Sequence, residues 1–506
     1  MRIAAAILAA WLALAAAGAP AQAPQPTPLR FENSGAATAQ EPFLRGLALL
    51  HNFEYPRAAE AFRQAQAADP GFAMAYWGEA MTYNHPIWME QDAAAARAVL
   101  ARLGPTREAR SARAPTEREQ SLLRAVEILY GEGSKEERDR AYSAHMADMM
   151  LGYADDVDVA AFYALSLLGL AHQGRDVRLY MRAAGQLEPF YVSHPDHPGV
   201  LHYLIHSYDD PTHAPLGLRA AYRYGDVAPD APHARHMTSH IFLALGMWDE
   251  TVEANRAADA AVDQLRAASG QPPTSCGHYN EWLVYALYQS ERFTEAASVA
   301  SGCWDQVRAQ LAAPASVPGR APPAVSWADM AIRGVVEHQQ LPDNGYGQAL
   351  GRSHPQARFT LAYAELIAGL AEAGPVRAAR ARLIEIDREL SEAARTSREP
   401  AYAPRRRAIV LAQAEALEAL RSGRTEEGLA MLRRAAETER AMPAEFGPPL
   451  VEKPTFELLG EELLGLHRRS EAEAAFRAAL ELAPNRRRSL QGLGAMPDRP
   501  VHPTRP

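Results

Sequence analysis

A chain of 506 residues suggests about three domain equivalents, although repeat arrays escape that rule. Apolar content of 48% supports a large core, and a net charge of −9 with a pI near 6.0 argues against a nucleic-acid partner, which would want a basic surplus. Abundant alanine and sparse β-branched residues favour helix almost throughout, and no run alternates for long enough to propose a sheet.

Residues 1–21 read as a signal peptide: Arg2 precedes an apolar run from Ile3 to Ala17, and Ala19-Pro20-Ala21 fits a cleavage pattern. The expected protein is exported, periplasmic or extracellular, with no membrane span in the mature chain. Residues 22–38 form an N-terminal extension, and 39–310 a first helical array. Pro86 interrupts the unit from Ala73 to about Leu103, residues 104–119 look like a connector, and a helix follows from Arg118 to Tyr130. The only two cysteines, Cys276 and Cys303, suggest a disulfide in an oxidising compartment; two buried thiols, or Cys276 as a metal ligand beside His278, are the alternatives. Proline and alanine mark 311–328 as a linker, and glycines make 341–355 another break. A second helical array fills 329–490, and 491–506 read as a disordered tail.

Two stretches share one spacing. Gly46, Ala58, Phe62, Ala65 and Pro70 are matched in order by Gly460, Ala472, Phe476, Ala479 and Pro484. Small residues let two helices touch, an aromatic fills the gap between them, and proline ends the second. This spacing resembles the tetratricopeptide repeat (TPR), and weaker units fit between the two. The segments HNFEYPRAAEAFRQAQAADPGFAMAYWGEAM and FGPPLVEKPTFELLGEELL are also similar to a group of exported bacterial TPR proteins. The resemblance implies an all-α, right-handed solenoid of antiparallel helix pairs and an exported location, but no particular reaction.

Histidines concentrate between His194 and Asn255, which holds eight of the chain's seventeen, and this clustering marks residues 198–290 as the functional core. His202 and His206, and His236 and His240, are four apart, so each pair stands on one helix face; His233 lies three before His236. The TPR resemblance implies that positions 2, 5, 9 and 12 of each first helix line a groove. That register places His202, His206 and Asp209 in one unit, and His233, His236 and His240 in the next. His278, Glu281, Tyr285 and Tyr288 follow in the third.

Imidazoles in this number suit a transition metal, Zn, Cu or Fe, whereas Mg or Ca would want oxygen ligands. The expected ligands are His202, His206, His236, His240 and His278, on one ion or a pair, with Glu281 or Asp209 bridging. Glu281 and His233 are the candidates for general base, bridge or further ligand. Tyr203, Tyr285, Tyr288 and Trp77 would line the pocket, although a helical Trp is more often core. His194, His197 and His213 fall in Pro-rich loops as outer partners or bystanders, and His145 and His172 read as structural. Neither His pair is H-E-x-x-H, so a zincin-type peptidase is disfavoured. The functional expectation is a metal protein, a hydrolase or oxidoreductase if catalytic, with a small-molecule or peptide ligand in the groove. The alternative is a scaffold holding a protein partner there.

Overall fold

The computed structural model describes residues 28–312, 323–341, 354–395, 399 and 402–494. They form an all-α protein of 23 α-helices; a two-residue strand pair, Asn84–His85 with Glu90–Gln91, makes the one small sheet among the described residues. In chain order come α1 (Ala37–His51), α2 (Tyr55–Ala68), α3 (Ala73–Met81), α4 (Ala93–Leu103), α5 (Arg107–Ser111), α6 (Glu117–Leu129), α7 (Lys135–Gly152) and α8 (Val157–Leu168). Next are α9 (Val177–Ser193), α10 (Pro198–Tyr208), α11 (Ala214–Val227), α12 (Pro232–Ala244), α13 (Trp248–Ala268), α14 (His278–Gln289), α15 (Phe293–Ala312) and α16 (Pro323–His338). The last are α17 (Pro355–Ala368), α18 (Ala373–Ala393), α19 (Tyr402–Arg421), α20 (Thr425–Arg440), α21 (Thr455–Gly465), α22 (Arg469–Leu482) and α23 (Arg487–Gly492).

Local chemistry explains many of these boundaries. Thr116 with Glu119, and Ser134 with Glu137, close capping boxes that start α6 and α7. Asp156 and Asp176 accept from the first free amides of α8 and α9. Proline occupies the first turn of α10, α12 and α17, where its missing N–H leaves nothing unpaired.

Most helices pack on their sequence neighbours. All twelve residues of α8 and all eleven of α10 are buried, the sign of a helix covered on every side. Gly46 and Gly460 perform the packing read from the repeat spacing. A Cβ on Gly46 would lie 2.9 Å from the Phe62 ring, and one on Gly460 would lie 2.7 Å from the Phe476 ring.

Two expected boundaries are corrected. Helix α16 begins at Pro323, inside the stretch 311–328 expected as a linker, and one core runs across it from Val252 to Leu361, joined by Trp304 and Trp327 at 4.6 Å between ring centroids. Residues 313–322 and 342–353 lie outside the described residues, as do 1–27 and 495–506, which carry the expected signal segment and most of the tail. The connector 104–119 contains the short helix α5.

The C-terminal helices return to the middle of the chain. Arg486, almost fully buried, donates to both Glu457 carboxylate oxygens at 2.8 and 2.9 Å and to the Tyr285 hydroxyl at 3.2 Å. Trp248 donates its indole N–H to the Asn485 carbonyl at 3.1 Å. Gly246, at φ +66°, passes so close that a Cβ would meet the Pro484 carbonyl oxygen at 2.4 Å, so only glycine fits.

Candidate metal centre

Six imidazoles come together from three helices. Four-residue spacing sets His202 above His206 on α10 and His236 above His240 on α12; His233 opens α12 and His278 opens α14. They form two groups, His202 with His206 and His233, and His236 with His240 and His278. Within each group the ligand nitrogens lie within 4.8 Å of one another. The groups adjoin: ring centroids of His206 and His240 are 6.0 Å apart, and those of His233 and His236 are 6.4 Å apart.

Partners outside the groups orient three of the rings. His202 Nδ1 donates to the His51 carbonyl at 2.6 Å, His236 Nδ1 to Asn255 Oδ1 at 2.8 Å, and His240 Nδ1 to Asp209 Oδ2 at 2.5 Å. The Asn255 amide is fixed the right way round because its nitrogen donates to the Thr251 carbonyl at 2.8 Å. With Nδ1 protonated, each Nε2 presents a lone pair inward, the arrangement that outer partners impose on metal-binding histidines. Nε2 of His236 and of His240 stand 3.1 Å apart. Two nitrogens at 2.0–2.1 Å from one tetrahedral ion would be ~3.3 Å apart. A proton on His240, balanced by Asp209, would also close that contact.

The other group has no such alternative. His202 Nε2, both ring nitrogens of His206 and His233 Nε2 are buried with no hydrogen-bond partner. Burial lowers the pKa of His202, His206, His233 and His236 well below the ordinary value, and the neighbouring imidazoles lower it further. His278 opens to solvent at one edge of the cluster, yet enough protein surrounds it to push its pKa down to about 4. These five therefore offer neutral imidazoles at neutral pH.

Aromatic rings enclose it. Phe53 sits at φ +57° just past the end of α1, a position where glycine is usual, and its ring rests 4.3 Å from His202, 5.8 Å from His206 and 5.5 Å from His233. Trp282 packs on His236, His240 and His278 at 4.6, 4.4 and 5.4 Å, and Phe446 covers His206 and His240 at 5.8 and 6.0 Å. The open trough expected from the repeat register is thus filled; only His233 and His278 reach its edge.

Several expected site residues lie elsewhere. Glu281 faces Asp329 and Arg333 in a separate cavity, because Trp282, four residues after His278, takes the place beside the imidazoles. Its partners are Ser326 and Arg333, and it belongs to neither imidazole group. His233 joins His202 and His206 as a third ligand candidate. Trp77 is core, stacked on Phe31 at 5.7 Å and edge-on to Phe162 at 5.2 Å. Tyr203 lies beneath the cluster with its hydroxyl 3.0 Å from His51 Nδ1. Tyr285 serves Arg486, and Tyr288 packs on Phe293 and His338. Cys276 and Cys303 form a disulfide, which removes Cys276 as a ligand.

Sequence reasoning missed His51, Asn255, Phe53, Phe446 and Trp282. His51 and His197 both reach Asp158 Oδ1, at 3.5 and 3.3 Å. His197 Nδ1 accepts from the Val200 amide as the cap of α10, so its Nε2 carries the proton given to Asp158. With Arg118 3.9 Å from the same carboxylate, this third group is held together by charge around Asp158, although His51 Nε2 is itself buried without a hydrogen bond.

No protein-family model matches the chain, and comparison with curated proteins finds no match. No helix among the described residues is long and apolar enough to cross a membrane.

Proposed function

We propose that this chain is a metal protein that holds a pair of transition-metal ions, one on His202, His206 and His233 and the other on His236, His240 and His278. The observation that carries the reading is the set of buried, unpartnered nitrogens on His202, His206 and His233, converging within 4.8 Å. Leaving such groups without a partner costs ~1–3 kcal/mol each, and ordinary proteins do not accumulate them in one place. Nitrogens on one ion lie roughly 3–4 Å apart, so a small ring adjustment closes the set. Neither group contains a carboxylate, which favours Zn or Cu over the two-His, one-carboxylate pattern of non-haem iron. Three protein ligands leave each ion a position for water or dioxygen, so hydrolytic or oxidative chemistry is the reaction class we infer.

The scaffold we infer is a TPR-like solenoid, supported by the matched glycine–phenylalanine packing at both ends. Export is supported by the signal-like first 21 residues and by the disulfide. The test is elemental analysis of purified protein beside a His202→Ala/His240→Ala double variant. Near-stoichiometric Zn or Cu that disappears in the variant supports the reading. A metal-free protein that also refuses added Zn, Cu and Fe refutes it and leaves a partner-binding scaffold.

A further inference from the structure

Trp282, whose ring rests on the imidazoles, also lines a second cavity of about 220 Å³. Its polar walls come from α14, α16, α19 and the segment before α21: Glu281, Asp329, Arg333, Arg406 and Glu452. Arg406 is committed, donating to the Leu450 carbonyl at 3.1 Å and to Glu452 Oε1 at 2.5 Å. Arg333 donates one nitrogen to the Pro449 carbonyl at 3.1 Å and lies over the Tyr285 ring at 5.2 Å.

Two charged atoms remain. Arg333 Nη1 and Glu452 Oε2 are buried with no hydrogen-bond partner, and Glu452 is only 3% exposed. An unpaired donor and an unpaired acceptor, of opposite charge and on two residues that line one cavity, are costly unless something bridges them.

The two orphaned atoms restrict what that can be. Burial, with Glu281 and Glu452 alongside, pushes Asp329 up to about 8, and burial raises Glu281 as well. A simple anion would leave Glu452 Oε2 unmet and a simple cation would leave Arg333 Nη1 unmet; a molecule carrying both charges would meet each. Phe359 and Leu450 add an apolar wall for a short side chain.

We propose that this cavity binds a small α-amino acid as its zwitterion, with the carboxylate on Arg333 Nη1, the ammonium on Glu452 Oε2 and the side chain against Phe359 and Leu450. No chemistry is required of it, and the assignment is independent of the metal reading.

The experiment is calorimetric titration of the purified full chain with three matched probes: L-leucine, 4-methylpentanoate, which lacks the ammonium, and 3-methylbutylamine, which lacks the carboxylate. L-leucine is expected to bind, and each half-molecule to bind at least tenfold more weakly. Glu452→Gln, which keeps an oxygen for Arg406, and Arg333→Met should each weaken L-leucine at least tenfold while leaving metal content unchanged. The proposal is overturned if neither L-leucine nor a pool of the twenty amino acids gives heat, or if 4-methylpentanoate binds as tightly as L-leucine. It is equally overturned if a folded Glu452→Gln protein binds L-leucine like the parent. Should Arg333→Met not fold, the probe series and Glu452→Gln decide the matter alone.

Discussion

Replacing Asp209 by Asn separates the two imidazole groups. Asp209 Oδ2 accepts the His240 Nδ1 proton at 2.5 Å, and both side chains are buried. An amide at 209 can present its NH2 to Nδ1, which drives the proton to Nε2 and removes the inward lone pair. Losing an outer partner of this kind typically weakens metal affinity 10–100-fold, about 1.4–2.8 kcal/mol. The loss should fall on the ion held by His236, His240 and His278, because Asp209 contacts no ring of the other group. Competition titration of metal-free protein with Zn against a chromophoric chelator should therefore show one binding step weakened and the other unmoved. Equal weakening of both steps, or of neither, would refute the reasoning. So would a metal-free variant destabilised by about 3–5 kcal/mol, since that is the signature of a buried imidazolium stripped of its counter-charge.

Acid should destabilise the metal-free protein. An unfolded histidine takes up its proton near pH 6.5, whereas His51 and His278 in the fold wait until about pH 4. Stability is complete above pH 6.5 and falls as pH drops toward 4, with His51 alone accounting for about 3 kcal/mol; thermal melts across that window that stay level would contradict this. Removing the Cys276–Cys303 disulfide, which closes 27 residues, should cost about 3–4 kcal/mol and loosen the ion nearest His278, two residues beyond Cys276. Two titratable thiols in unreduced, denatured protein would rule that pairing out. Gly447→Ala forces a Cβ to 2.2 Å from the Trp282 ring at a backbone φ of +94°. Calorimetric melting should show a loss of roughly 1–3 kcal/mol, together with weaker metal binding at the group beneath Trp282.

The sequence carries the local half of this site and little of the distant half. His202 with His206 and His236 with His240 are legible because a helix repeats its face every four residues, and the structure keeps both pairs together. Their partition is less legible. His233 is three residues from His236, a displacement that turns it toward α10 and into the group of His202. The same three-residue turn carries Glu281 away from His278 and leaves Trp282 in its place. His51, Asn255 and Phe446 reach the imidazoles from other helices or loops, and no spacing within 198–290 announces contacts of that range. The linker expected at 311–328 fails for a related reason. Proline content marks where a helix can start as readily as where one stops, and Pro323 does the former.

The return of the chain's last helices to its middle has a consequence for biogenesis. Phe446 and Gly447 close over rings contributed some two hundred residues earlier, in a segment anchored onward through Arg486 to Tyr285. A nascent polypeptide emerging from its N-terminus would display all six imidazoles before their cover exists. Docking of the segment that carries Phe446 then covers His206 and His240, while His233 and His278 keep an edge toward solvent, so an ion bound as proposed would enter and leave by that edge.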